Sequence, residues 1–132
     1  MKILFVCKYN RFRSKVAEII ASNIYNEIKV KSAGINIDKE KPYIAHDVLL
    51  ILKEKGYLIK NEYRNSKIIN QRMINQSDKI IIVADNVENS FFENNNHKIV
   101  RWEIEDVDEH DTIGKIKTIS IIEKKVKRIF KE

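Results

Sequence analysis

The strongest constraint on the fold lies in the first 28 residues, where the hydrophobic period changes. Residues 2–6 (KILFV) form a short apolar run bounded by polar residues, the pattern of a strand buried on both faces. From residue 14 to residue 28 the apolar positions Val16, Ile19, Ile20, Ile24 and Ile28 recur at helical spacing. Residues 28–33 (IKVKSA) then alternate as a second strand, closed by Gly34. A buried strand, a loop, an amphipathic helix and a second strand make a crossover unit, which implies parallel pairing.

The rest of the chain repeats this alternation. A helical pattern begins near Pro42 and carries Ala45, Val48, Leu49 and Leu52, with Gly56 as its end. Residues 61–66 are polar loop, and residues 68–74 read as a short helix. Residues 79–83 (KIIIV) are the clearest buried strand, residues 87–93 a helical turn or two, and residues 94–96 a loop tip. Residues 98–102 read as a fourth strand, and residues 103–111 (EIEDVDEHD) as an acidic, irregular segment. Ile113, Ile116, Ile119, Ile122, Val126 and Ile129 define a final amphipathic helix. The order β-α-β-α-α-β-α-β-α predicts an α/β three-layer sandwich, a four-stranded parallel sheet with helices on both faces. At 132 residues the whole chain, 1–132, is expected to be one domain. Ligands of such sheets bind at the carboxyl ends of the strands, so the functional loops are expected after Val6, Val83 and Trp102.

Composition narrows the class. A hydrophobic share of 43% can fill a core, and three Gly with one Pro exclude collagen-like and Pro/Gly-rich disordered chains. No apolar run approaches the roughly 18 residues of a membrane span, and the start lacks a signal peptide's apolar stretch, so a cytoplasmic location is expected. A single cysteine forms neither an internal disulfide nor a Cys-based zinc cluster. His46, His97 and His110 have no ligand-like spacing; His46 reads as an exposed or half-buried helix residue. No metal or other cofactor is expected. The net charge of +6 favours anionic partners, but the lysines are scattered rather than gathered on one face, and neither nucleic acid nor a membrane is expected as partner.

The chemistry concentrates in the first loop, Cys7-Lys8-Tyr9-Asn10-Arg11-Phe12-Arg13-Ser14. A strand-to-helix loop can turn its backbone N–H groups inward, where the helix N-terminus also favours negative charge. That field favours thiolate over thiol at Cys7. Arg13 offers a planar fork for two phosphoryl oxygens, and the Ser14 hydroxyl can donate to the sulfur. Alone, Cys-x5-Arg-Ser would read as a small buried residue, an exposed arginine and a helix cap. At the first strand-to-helix switch of a parallel sheet it reads as a phosphate-binding loop with a nucleophile.

The stretch VCKYNRFRSKVAE resembles the signature of the low-molecular-weight protein tyrosine phosphatases, a family that also includes arsenate reductases. Cys7, Asn10, Arg13, Ser14, Ala17 and Glu18 match its pattern. Ser32-Ala33-Gly34, the run SDKIIIVAD (77–85) and RWEIEDVD (101–108) resemble later family stretches in the same order. The resemblance implies hydrolysis of phosphotyrosine or aryl phosphates through a cysteinyl-phosphate intermediate. It assigns Cys7 as nucleophile, Arg13 as phosphoryl ligand and Asp106 as general acid, with Asp108 and Asp111 as neighbours on the same acidic loop. Lys8, Tyr9, Asn10, Arg11, Phe12 and Ser14 would complete the phosphate-binding loop, with Asn10 held in a left-handed conformation. Partners would be a phosphorylated protein or small aryl phosphate, with inorganic phosphate as product, and the chain a monomer or weak dimer.

Four departures from the family pattern matter. Tyr9 replaces a glycine and is strained if that position needs positive φ, or else forms part of the site wall. Phe12 replaces a second cysteine, Lys15 a proline, and Val107 the proline after the acid. Lys8, Arg11, Arg13 and Lys15 together would favour acidic substrates, unless Lys8, Arg11 and Lys15 point to water. Tyr9, Phe12 and Trp102 could stack on an aryl ring. The alternatives are an arsenate reductase using an external thiol, a phosphocarrier, and a non-catalytic phosphate-binding or regulatory module.

Overall fold

In the computed structural model, which describes residues 1–130, four strands form one parallel sheet in the order β2-β1-β3-β4. The strands are β1 (Lys2–Cys7), β2 (Lys29–Gly34), β3 (Lys79–Val83) and β4 (Ile99–Trp102); the helices are α1 (Arg13–Ile24), α2 (His46–Glu54), α3 (Gln71–Gln76) and α4 (Thr112–Lys127). The central strand β1 pairs with β2 from Lys2↔Lys29 to Cys7↔Gly34, and with β3 from Ile3↔Lys79 to Val6↔Ile82.

Alternation along the strands divides the core. Ile3, Phe5, Ile81, Val83 and Trp102 pack under α1, α2 and α4, meeting Val16, Ile19, Ile20, Val48, Leu52, Ile119 and Ile122. Leu4, Val6, Ile80 and Ile82 face the other way, against Ile69, Ile74, Val87 and Phe92. Each such side chain contributes about 1.5–3 kcal/mol on burial, so both faces are strongly held. The three longer helices share one face. The other is covered by α3 and the short 3-10 turn at Asn89–Phe92.

Several predicted boundaries shift: the second helix starts at His46 rather than near Pro42, the turn expected over 87–93 is a 3-10 turn over Asn89–Phe92, and two further shifts have a clear cause. The first helix stops at Ile24, not residue 28, because the chain must turn to bring Lys29 beside Lys2, where the Lys29 N–H donates to the Met1 carbonyl. Tyr25 is already extended, and its hydroxyl donates to the Val126 carbonyl on α4. The third helix starts at Gln71, not residue 68. Residues 67–69 instead lie extended beside Gly34, exchanging backbone hydrogen bonds with it, and the Asn70 side chain caps α3 by accepting from the Met73 N–H. Within the expected loop 61–66, Asn61–Tyr63 forms a 3-10 turn that buries Tyr63. Among the described residues no helix is long and apolar enough to cross a membrane.

Candidate active site

The segment between β1 and α1 curls so that five of its carbonyls are taken by neighbouring residues. Cys7 O accepts from the Ile35 N–H, Lys8 O from Asn36, Arg11 O from Ala45 and Phe12 O from Val16. Asn10 O accepts from the Ser66 hydroxyl. The N–H groups of residues 8–12 make no hydrogen bond among the described residues and lead into the first turn of α1, which has neither a side-chain cap nor an acidic residue. That is an anion-binding arrangement. Gly34 makes the tight curl possible: a Cβ there would lie 2.8 Å from the Tyr9 backbone carbon and 2.9 Å from the Asn10 nitrogen.

Asn10 sits at φ 55°, the left-handed region, and its fully buried side chain organises the space behind the loop. The Lys67 N–H donates to Asn10 Oδ1 at 2.9 Å, which fixes the orientation of the amide. Its Nδ2 then donates to Ser14 Oγ at 2.7 Å and to Ser32 Oγ at 2.9 Å. Ser32 in turn donates to Glu18 Oε1 at 2.6 Å. Ser14 Oγ also shares a hydrogen bond with Cys7 Sγ, 2.9 Å away; when the sulfur is a thiolate, the Ser14 hydroxyl is the donor. The network therefore runs without a break from the sulfur at one side to the Glu18 carboxylate at the other.

Arg13 closes the loop from the opposite side. It is 2% exposed, and its guanidinium donates to the Ile104 carbonyl at 2.9 Å and to Asn86 Oδ1 at 3.2 Å. Asp85 Oδ1 lies 3.5 Å from it and Asp106 Oδ2 3.7 Å. The loops after all three expected strands thus converge on one side chain. Cys7, Tyr9, Phe12, Arg13, Asp106 and Val107 line a cleft of about 310 Å³, with Arg11, Asp38, Asp108, Glu109 and Lys115 among the other walls. Asp106 accepts from the Val107 N–H through Oδ1 and leaves Oδ2 toward Arg13. Its neighbours make local bonds of the same kind but no ion pair with Arg13: Asp108, which also lines the cleft, accepts from the His110 N–H, and Asp111 caps α4 by accepting from Gly114.

Several expectations are resolved by this geometry. Tyr9 does not adopt positive φ; the loop places that demand on Asn10, and Tyr9 forms the cleft wall, with the Lys8 ammonium 5.5 Å from its ring centroid. Arg11 is held at the rim, its Nε donating to the Tyr43 carbonyl and its NH1 4.0 Å from Glu109. Lys15, expected either to reinforce the site's positive charge or to point to water, is instead fully buried behind the loop against Glu18. With Asp38, Asp106, Asp108 and Glu109 on the walls, the cleft is of mixed sign rather than basic. Trp102 is a core residue packed on Phe5 at 5.9 Å and does not line the cleft. His46 is exposed at the start of α2.

The sequence left unassigned the groups that hold Arg13, namely Asp85, Asn86 and the Ile104 carbonyl. Their signal was positional: they follow strands whose ends were expected to carry function. Lys115 carried no such signal. Its buried ammonium donates to Asp47 Oδ2 at 2.8 Å and to the Glu109 carbonyl at 2.7 Å, bracing the acidic loop against α2. Burial alone would raise the Asp47 carboxyl, but the hydrogen bond and charge of Lys115 hold it below its ordinary value. Among the described residues no three or more His, Cys, Asp or Glu side chains gather as a metal site.

The family profile for low molecular weight phosphotyrosine protein phosphatase matches residues 2–131. The chain belongs to this family. Solved structures of the family's fold superpose closely. YwlE arginine phosphatase from Geobacillus stearothermophilus aligns at TM-score 0.82 and 20% identity, over 97% of this chain and 89% of the other. The low molecular weight protein tyrosine phosphatase SP-PTP from Streptococcus pyogenes aligns at 0.80 and 22%, over 96% and 88%. A thioredoxin-dependent arsenate reductase from Corynebacterium glutamicum aligns at 0.74 and 25%, over 98% of this chain but 60% of the other. A comparison with curated proteins gave no match.

Proposed function

We propose that the protein hydrolyses phosphomonoesters of the phosphotyrosine or aryl phosphate type through a phosphocysteine. The observation that carries this reading is the position of Cys7 Sγ. It lies 2.9 Å from the Ser14 hydroxyl at the base of a loop whose Cys7, Lys8, Asn10, Arg11 and Phe12 carbonyls are bonded to neighbouring segments, with Arg13 closing the ring and Asp106 3.7 Å from Arg13. In the first step the Cys7 thiolate attacks phosphorus in line; the S–P bond forms as the P–O bond to the leaving group breaks. The Asp106 carboxyl passes its proton to the departing oxygen. Arg13 and the loop N–H groups hold the equatorial oxygens, where charge spreads in the transition state. In the second step the Asp106 carboxylate takes a proton from water as its oxygen attacks phosphorus. The S–P bond breaks, the thiolate returns, and inorganic phosphate leaves. Tyr9 and Phe12 supply apolar surface on which an aryl ring can lie.

One observation favours a second substrate class. The four carboxylates on the cleft walls suit a phosphoryl group carried by a cation, and a neighbour of like fold is named an arginine phosphatase. Arsenate reduction by an internal disulfide relay has no support here, since Cys7 is the chain's single cysteine. Turnover of p-nitrophenyl phosphate, followed by competition between phosphotyrosine and phosphoarginine peptides, tests both readings. Aryl turnover abolished in Cys7→Ser, with the phosphotyrosine peptide consumed first, supports the first; preference for phosphoarginine supports the second. Tight phosphate binding without turnover of any substrate refutes both in favour of a binding module.

A further inference from the structure

Among the described residues, the one buried side-chain nitrogen or oxygen that finds no hydrogen-bond partner is Lys15 Nζ. The side chain is 0% exposed, yet it lies on the second residue after Arg13, on the helix that opens from the loop. Its nearest opposite charge is Glu18 Oε1 at 3.5 Å, and Glu18 is itself 3% exposed. That same oxygen is the terminus of the network running through Ser32, Asn10 and Ser14 to Cys7 Sγ.

Charge bookkeeping around the loop then becomes specific. The buried ionisable groups are two acids, the Cys7 thiol and the Glu18 carboxyl, and two bases, Arg13 and Lys15. Arg13 faces the cleft; Lys15 faces the network. An unpaired carboxylate behind the loop would oppose a second negative charge on the sulfur, because like charges in a poorly solvated site disfavour each other. We propose that Lys15 is a positioning residue for the reaction of Cys7: its ammonium neutralises Glu18, so that the network presents no net negative charge to the thiolate. The proposal rests on the reading of Cys7 as a nucleophile. The groups that act on Lys15 are Glu18 on its own helix, Lys67 on the extended segment beside Gly34, and Cys7 at the end of β1. Burial and Lys67 work to discharge the ammonium, whereas Glu18 and Cys7 hold its proton.

The test is the alkylation rate of Cys7 by iodoacetamide, read at the pH where the unsubstituted chain reacts at half its alkaline plateau rate. Lys15→Met is expected to slow the reaction about fivefold, the effect of a single charge displacing the thiol equilibrium by about one pH unit. Glu18→Gln is expected to raise the rate toward the plateau, and the double variant to return it to the original value. Thermal unfolding of each variant establishes that it is folded; should Lys15→Met unfold, the Glu18→Gln rise still decides the sign. Rates unchanged in the single variants, or a double variant slower than Lys15→Met, overturn the proposal and leave Lys15 a packing residue. An unsubstituted chain that alkylates as an ordinary thiol and turns over no p-nitrophenyl phosphate instead overturns the nucleophile reading on which it rests.

Discussion

Asn10 carries two separable loads, and substitution can weigh each. Its φ of 55° lies where an L-residue with a Cβ costs about 1–2 kcal/mol, and where glycine sits freely. Its side chain makes three hydrogen bonds in a buried setting, to Ser14, to Ser32 and from the Lys67 N–H. At about 1 kcal/mol each, their loss totals about 3 kcal/mol. Asparagine carries a Cβ and already meets that backbone cost, so Asn10→Ala forfeits about 3 kcal/mol, a large share of the roughly 5–15 kcal/mol typical of a domain. Asn10→Gly escapes the backbone strain but adds about 0.5–1 kcal/mol of lost chain entropy. Glycine should end up more stable than alanine by roughly 0.5–1 kcal/mol, the reverse of the order at most positions. Urea unfolding of the three proteins measures both quantities. An alanine variant at least as stable as the glycine variant refutes the left-handed requirement, and a total loss below about 1 kcal/mol refutes the network. Activity gives a further reading. Without Asn10 the Ser14 hydroxyl loses the amide that holds it beside Cys7, and losing one such bond in the transition state lowers kcat about tenfold even in the glycine variant.

Other substitutions probe the remaining parts. Asp106→Asn is expected to cost about 10²–10⁴-fold in kcat on phenyl phosphate but much less on p-nitrophenyl phosphate, whose leaving group needs little protonation; equal losses would contradict a general acid. Arg13→Lys keeps the charge but loses the fork, and steady-state kinetics should show kcat lower by about 10²–10³-fold, with the fold intact by circular dichroism. Asp47→Asn leaves the buried Lys115 ammonium without its counter-charge and lowers Tm by several degrees at neutral pH. Because the Asp47 carboxyl titrates below its unfolded value, its contribution is full above the ordinary carboxylate range and fades as the pH falls toward the depressed value. The Tm gap between the two proteins therefore closes in acid, and a gap independent of pH would contradict the pairing.

How much of this was legible in the chain follows physical lines. Residues 79–83 appear as β3 with the predicted bounds, because a strand buried on both faces leaves an uninterrupted apolar run that cannot be mistaken for an amphipathic surface. The loop was legible because Cys7, Asn10, Arg13 and Ser14 are neighbours in sequence and their chemistry is local. Helix ends were less so: Ile28 continues the periodicity of α1, yet the register of β2 against β1 forces the turn before it. Long-range partners left no local trace. The Ile104 carbonyl that accepts from Arg13 lies 91 residues away, and any residue could supply it. Lys15 misled most. A lysine in a basic run suggests solvent, and only the buried Glu18 one helical turn on explains its place inside. A lysine and glutamate at that spacing are common on exposed helix faces, so the pair could not by itself mark a buried ion pair.

The central claim is that Cys7 becomes covalently phosphorylated. Rapid acid quench after mixing with p-nitrophenyl phosphate, followed by mass spectrometry of the peptide containing Cys7, measures it directly. The account predicts one phosphoryl group on that peptide, formed as fast as the first equivalent of p-nitrophenolate is released. Turnover with Cys7 unmodified at every quench time, or undiminished in Cys7→Ser, would contradict it.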